Sequence, residues 1–294
     1  MAQYLTKAQR VMLVKFLAYL GLVRWYNLLL VALAQYLAAL FILNPEKPAL
    51  ETLADPGLHC LVLSCGWMIA GGYLINAFYD LEKDMANQPR KLIIGRIISK
   101  SFALNTYFLL NFMAMLGAML IGWRAVLFLA VFSFLLWLYS HKLKKITFLG
   151  NLTATFLSVC SFFAVCVYYM QVNHFIVLYV LFLVISELIR EIVKDMEAIK
   201  GDIIYGYRTV PVALGIPATK KLLYLLMLSS LVPVSIIFML QGWSAVMLFF
   251  LGALSLMIAS MFLLRNAAER KDYTRINNVL KAIIITGVLS ICLL

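Results

Sequence analysis

The sequence predicts an all-α polytopic membrane protein: a bundle of nine transmembrane helices, built as two four-helix halves with a ninth helix appended. Three observations lead there. The 294-residue chain is 64% hydrophobic and only 13% charged, with a mean hydropathy of +0.96, whereas a soluble domain is roughly half apolar and a quarter charged. Apolar stretches recur along the whole length, most of them near or above the ~17–20 residues that a spanning helix needs. The connections between them alternate between strongly basic and nearly free of Lys and Arg. That placement ties the net charge of +12 to membrane topology and argues against a nucleic-acid partner.

Taken in order, the first apolar stretch, 16–43, follows a polar and basic segment and is too long for a signal-peptide h-region, so it reads as the first span. A loop at 44–57, with Asn44, Pro45, Pro48 and Pro56-Gly57, leads to the second, 58–79. The connection 80–101 is long and basic. The third and fourth stretches, 102–121 and 123–139, meet at a minimal turn. His141–Lys145 is a short basic turn before the fifth, 146–170, which passes almost directly into the sixth, 173–190. A second long basic connection, 190–221, precedes the seventh stretch, 222–240. The eighth, 243–264, follows at once, and the basic segment 265–281 leads to the last, 276–294.

The positive-inside rule puts the basic connections in the cytoplasm. Nine crossings then leave the N-terminus inside and the C-terminus outside, as expected for a prokaryotic plasma-membrane protein. Arg265, Arg270, Lys271, Arg275 and Lys281 read as contacts to anionic lipid headgroups. Cys60, Cys65, Cys160, Cys166 and Cys292 show no metal-ligand spacing and read as small buried hydrophobes. Residues 1–294 are expected to form a single transmembrane domain. All the elaboration is on the cytoplasmic side, where the chemistry is expected.

Two acidic motifs stand there, each at the inner end of an apolar stretch. The first holds Asn76, Asp80 and Asp84, four apart and therefore stacked along one helical face. The second runs from Glu191 to Asp202 as EIVKDMEAIKGD, with Glu191 and Asp195 four apart and Asp202 two turns further on. Each continues into basic residues with Gly or Pro. The motifs follow the second and sixth spans, and that separation is what suggests two similar halves.

Unpaired carboxylates beside a bilayer are costly, and oxygen ligands on helical faces suit a hard divalent cation such as Mg²⁺. Lys and Arg nearby would neutralise phosphate charge; Arg24, Lys91, Arg96, Lys142, Lys144, Lys145 and Arg208 are the candidates. A metal-bound diphosphate against an apolar cavity implies a prenyl diphosphate. Its ionisation would leave an allylic cation for a lipophilic acceptor to capture.

Asn76-x-x-x-Asp80-x-x-x-Asp84, followed by Pro89, Arg90-Lys91 and Gly95-Arg96-Ile97-Ile98-Ser99, resembles the first motif of the UbiA superfamily of intramembrane prenyltransferases. Lys194-Asp195 through Gly201-Asp202, then Gly206 and Pro211-Val212, resembles its second. Arg24 with Asn27 is similar to the signature early in its first helix, and Tyr139 to Lys142, with Lys144-Lys145 and Gly150-Asn151, to the loop after its fourth. The likeness covers nearly the whole chain. It implies a nine-helix bundle, two Mg²⁺ ions and a lateral opening for the prenyl tail. Asn76, Asp80 and Asp84 would hold one ion; Asp195 and Asp202, with Glu191, the other. Arg24, Asn27, Lys91, Tyr139, Lys142 and Arg208 would contact the diphosphate. The chain departs from many members at Ala198, where an Asp would stand, at Lys91, in place of Arg, and at Leu92-Ile93-Ile94, in place of a proline pattern.

The expected acceptor is a geranylgeranylglyceryl-phosphate-like lipid or a quinone precursor, with an aromatic or chlorophyllide acceptor as the alternative. Competing readings stay open residue by residue. Asp80 and Asp84 would also serve to cap a helix beside Lys83, and Asp195 and Asp202 would also suit a charged face with Lys194 and Lys200. A polytopic ion-coupled transporter is the rival of a different class.

Overall fold

The computed structural model describes residues 6–87, 92–171 and 174–294. Apart from one isolated bridge between Ile94 and Ile98, the regular structure of these residues is helical. The first half of the chain contributes α1 (Lys7–Leu22), α2 (Trp25–Leu37), α3 (Ala49–Leu53), α4 (Pro56–Tyr79), α5 (Leu81–Asn87), α6 (Lys100–Ile121), α7 (Trp123–His141) and α8 (Leu149–Tyr169). The second contributes α9 (His174–Ile204), α10 (Val210–Leu214), α11 (Ile216–Ser229), α12 (Leu231–Gln241), α13 (Ala245–Asn266) and α14 (Arg270–Ser290).

Among the described residues, eight stretches are long and apolar enough to cross a bilayer: Trp25–Leu43, Pro56–Tyr79, Lys100–Ile121, Trp123–Lys145, Leu149–Tyr169, Ile216–Gln241, Ala245–Asn266 and Arg270–Leu293. The 31-residue α9 is not among them, because Glu187, Arg190, Glu191, Lys194 and Asp195 interrupt its apolar run.

The helices correct the sequence reading in two places. The apolar stretch 16–43 is not one rod. Arg24 adopts a left-handed backbone, φ 51° and ψ 53°, a conformation that L-residues avoid, and this breaks α1 from α2. Spanning structure begins at Trp25 and continues through a π-helical turn, Ala38–Leu43. In the second place, the helix after the sixth apolar stretch does not stop near residue 190. It runs on to Ile204, so the whole second acidic motif is helical.

Two apolar cores hold the helices together. One is centred on α4, α6, α7 and α8, through residues such as Leu61, Met68, Ala118, Leu129, Phe132 and Val165. The other joins α9 to α11, α12, α13 and α14, through Phe182, Ile192, Leu223, Ile237, Phe250 and Ile276. α2 lends Ala34 and Leu37 to the second core, while the turn after it lends Ala39 and Leu43 to the first. Small residues bring α4 and α6 close, as is usual for helices packing in lipid. A Cβ at Gly117 would lie only 2.1 Å from the Ser64 hydroxyl oxygen.

α4 sets the long axis of the first core. At its start, Asp55 caps the helix by accepting from the Gly57 N–H at 2.9 Å, and its carboxylate also accepts from the Tyr168 and Tyr169 hydroxyls. Over 24 residues, a length of about 36 Å, the same helix carries Asn76 in its last turn, with Asp80 just past its end. The acidic motif and the Asp55 tether therefore stand at opposite ends of the bundle.

Candidate active site

The first motif straddles a junction between helices. Asn76 lies in the last turn of α4, Asp80 follows it, and Asp84 is in α5. The helical hydrogen-bond register survives the junction, with Asp80 N–H donating to Asn76 O at 2.9 Å and Asp84 N–H to Asp80 O at 2.8 Å. The three side chains thus keep the stacking that their spacing implies. Asn76 Nδ2 donates to Asp80 Oδ2 at 3.0 Å.

The cation that meets this motif is Lys144. It follows α7 in a 3₁₀ turn, Leu143–Lys145, and is buried there. Its Nζ lies 2.7 Å from Asp80 Oδ1 and donates to Asn76 Oδ1 at 3.2 Å. Lys142, expected to bind phosphate, has an exposed side chain. The turn places Lys142 and Lys144 on different faces.

Gly150 fixes that turn from below. A Cβ there would stand 3.1 Å from the Lys144 Cα and carbonyl oxygen and 3.2 Å from the Leu143 carbonyl oxygen. These are backbone atoms, which cannot rotate out of the way. Gly150→Ala is expected to cost about 1–3 kcal/mol of stability, as overpacking does, and to lower activity beyond what the folded fraction explains, because Lys144 is displaced. Thermal unfolding in detergent alongside pyrophosphate release checks both.

The second motif occupies the last four turns of α9. Asp195 Oδ2 accepts from Asn151 Nδ2 at 2.7 Å, which ties α9 to the start of α8. Asp202 is fully buried. Its Oδ1 lies 2.5 Å from Lys83 Nζ, and its Oδ2 accepts from the Thr209 hydroxyl at 3.1 Å. Lys83 therefore carries the first motif across to the second. Glu191, expected among the metal ligands, has both oxygens engaged by cations of its own helix: Lys194 Nζ at 2.7 and 2.8 Å, and Arg190 at 3.0 Å. Arg190 also pairs with Glu187.

The segment after α9 folds back over this centre. Tyr207 N–H donates to Asp202 O at 2.8 Å, and Arg208 N–H to Lys145 O at 3.0 Å. The Arg208 carbonyl accepts from the Thr147 hydroxyl at 2.6 Å, while the Arg208 side chain is exposed. Two ammonium groups face the Tyr207 ring, Lys83 at 4.6 Å and Lys145 at 5.2 Å from its centroid. Burial, then the charges of Asp80 and Asp202, push the Tyr207 phenol well above its usual range, so it stays protonated. Desolvation, then the neighbouring Asp80 charge, raises the Asp84 carboxyl. Burial alone would lower the Lys83 ammonium, but Asp202 and Asp80 outweigh it and hold it above its ordinary value.

Four expected diphosphate contacts remain. Arg24 is exposed at the α1–α2 break, with its guanidinium carbon 5.0 Å from the centre of the Tyr73 ring. Asn27 donates to the Tyr73 hydroxyl at 3.0 Å. Tyr139 is part-buried on α7, its phenol within electrostatic range of Glu191, Asp80 and Asp195. Lys91 lies outside the described residues. Among the described residues, no three His, Cys, Asp or Glu side chains are gathered as a ready-made metal cluster; lysines are interleaved with the acids. Sequence reasoning passed over Lys83 and Tyr207. The signal for Lys83 was its place inside the acidic motif, and for Tyr207 the glycine before it.

A family model described as the UbiA prenyltransferase family matches residues 32–280. The chain belongs to that family. Digeranylgeranylglyceryl phosphate synthase of Saccharolobus solfataricus is 30% identical to this UbiA-family chain over 270 residues, covering 89% of it and 93% of the relative. The synthase of the same name from Pyrococcus horikoshii is 30% identical over 200 residues, 67% of this chain and 69% of the relative. Among solved structures, a UbiA homologue from Archaeoglobus fulgidus bound to GPP and Mg²⁺ superposes with a TM-score of 0.65 at 18% identity, covering 94% of this chain and 99% of that one. This UbiA-family chain is accordingly a multi-pass integral membrane protein.

Proposed function

We propose that this protein is a Mg²⁺-dependent intramembrane prenyltransferase. It moves a polyprenyl chain from its diphosphate to a geranylgeranylglyceryl-phosphate-like lipid and releases pyrophosphate. The observation that carries the reading is the meeting of both acidic motifs with Lys144 and Lys83 at one end of an apolar bundle. The S. solfataricus synthase, similar over nearly its full length, favours the lipid acceptor over an aromatic or chlorophyllide one.

The residues fit a hard cation. Asp80 Oδ1 and Asp202 Oδ1 are buried carboxylate oxygens, each in ion-pair contact with a lysine, and the donor set is all oxygen. Asn76, Asp80 and Asp84 would hold one ion, Asp195 and Asp202 the second, with Glu191 supporting from its ion pairs. Mg²⁺ supplies charge stabilisation for the departing diphosphate. Lys144, Arg24, Asn27, Tyr139 and the basic residues of the loops, Lys91 and Arg208 included, orient the diphosphate. The apolar bundle keeps water from the allylic cation.

In this reading residues 1–294 form one transmembrane domain and α9 is a ninth span. Its charges are neutralised in pairs, Glu187 with Arg190 and Glu191 with Lys194. The acidic end and the N-terminus face the cytoplasm of a prokaryotic cell and the C-terminus lies outside, an orientation supported by the basic connections. Purified protein, labelled geranylgeranyl diphosphate and a panel of acceptors test the proposal. Product is expected with geranylgeranylglyceryl phosphate and Mg²⁺; turnover confined to an aromatic or chlorophyllide acceptor would overturn the assignment.

A further inference from the structure

Lys83 is the one side chain of the first motif that makes an ion pair with the second. Its Nζ stands 2.5 Å from Asp202 Oδ1, with the lysine side chain 16% exposed and the aspartate 0%. The other Asp202 oxygen accepts from Thr209. Both Asp202 oxygens are therefore engaged, and a divalent ion that it ligates through Oδ1 competes with this ammonium. Lys144 differs, because both of its partners, Asp80 and Asn76, belong to the first motif.

We infer that Lys83 is a diphosphate-binding residue of this site, stored on Asp202 and delivered to the substrate's diphosphate when a divalent ion claims that carboxylate. The inference rests on the prenyl diphosphate reading above. Three features support the transfer. A displaced ammonium remains tethered by α5 beside Asp80 and Asp84, where the diphosphate would lie. The Tyr207 ring, 4.6 Å from Nζ, offers an aromatic face along which a cation can shift without being fully desolvated. Charge balance points the same way: two acidic motifs and a resident ammonium must receive both divalent cations and a multiply charged anion. A lysine that leaves a carboxylate as the metal arrives, and pairs with the anion that comes with it, keeps every charge matched. A tether that merely fastened α5 to α9 would have no effect on anion affinity.

Two binding constants test this on the full chain in detergent, with Mn²⁺ as a spectroscopic probe followed by electron paramagnetic resonance and inorganic pyrophosphate as the anion. Removing a positive charge beside the metal-binding carboxylate should let Lys83→Met bind Mn²⁺ alone about tenfold more tightly than the wild type. In saturating Mn²⁺ the same variant should bind pyrophosphate about tenfold more weakly, having lost a charge-assisted contact. Lys83→Arg, which keeps the charge, should stay near the wild type in both and controls for folding. Both constants unchanged in Lys83→Met, or both moving in the same direction, would overturn the inference while leaving the prenyltransferase reading intact. Wild type that binds no Mn²⁺ saturably, even with pyrophosphate present, would overturn that reading and this inference together.

Discussion

Lys144→Met is expected to lose pyrophosphate release by about 10²–10³-fold, the scale seen when a preorganised group facing developing negative charge is removed. Lys144 and Asp80 are largely shielded, with side chains 6% and 14% exposed, and their separation of 2.7 Å is that of a charge-assisted hydrogen bond. Deleting one partner of such a pair leaves the other as an uncompensated buried charge, at a cost of about 3–5 kcal/mol. The variant should therefore lose stability as well as activity, and Lys144→Arg separates the two. Arginine keeps the charge and restores most of the stability, but its larger fork cannot occupy the same place between Asp80 and Asn76, so activity stays depressed. Lys142→Met is the matched control. That residue is two positions away and exposed, and its loss should change rate and stability by no more than about twofold. Thermal unfolding and pyrophosphate release, measured on all three variants, check the set. Equal effects at 142 and 144 would show that net charge at the inner face matters and that the position of Lys144 does not.

The contrast between these lysines shows what the sequence could and could not say. Hydropathy and the alternation of charge made the helical membrane class legible, because a lipid environment imposes both patterns on any chain that crosses it. The spacing of Asn76, Asp80 and Asp84 was legible because the α-helical period fixes which residues share a face. Which lysine meets Asp80 was not, since the 3₁₀ turn at 143–145 and the close approach of Gly150 decide it. Nor was the break at Arg24, which requires a left-handed backbone at a residue with no glycine-like preference for it. The length of α9 was missed for an instructive reason. Its charges looked like the start of a wet connection, yet Glu187, Arg190, Glu191 and Lys194 satisfy one another on successive turns, and paired charges do not end a helix. In the sequence, Lys83 reads as part of an interfacial charge mixture. Its partner is 119 positions further along the chain, at Asp202, and no local pattern reports a contact of that range.

Asp202→Ala carries the second large effect. This carboxylate is wholly buried and holds three things at once: the Lys83 ammonium, the Thr209 hydroxyl and, through its own backbone carbonyl, the Tyr207 N–H. The alanine variant removes the first two. A buried hydroxyl and a mostly buried ammonium are left without their partner, and the segment 205–209 loses its side-chain anchor to α9. Loss of Mg²⁺-dependent pyrophosphate release by about 10³-fold is expected from the missing oxygen ligand, with a loss of stability on top of it. Asp202→Asn distinguishes the chemical role from the scaffold. An amide still accepts from Thr209, so the segment should stay in place and stability should recover in part. The negative charge is gone, so Mg²⁺ dependence should not recover. Asp55 provides the comparison from the far end of α4. Its carboxylate accepts from the Tyr168 and Tyr169 hydroxyls, and Asp55→Ala should cost about 1–3 kcal/mol by stranding them while leaving diphosphate binding by the folded protein unchanged. Both acids are tied to neighbours by hydrogen bonds, but only Asp202 is paired with a cation from the opposite motif. If the two alanine variants lost diphosphate binding alike, the acidic end would be a structural buttress and the chemistry would have to be sought elsewhere in the bundle.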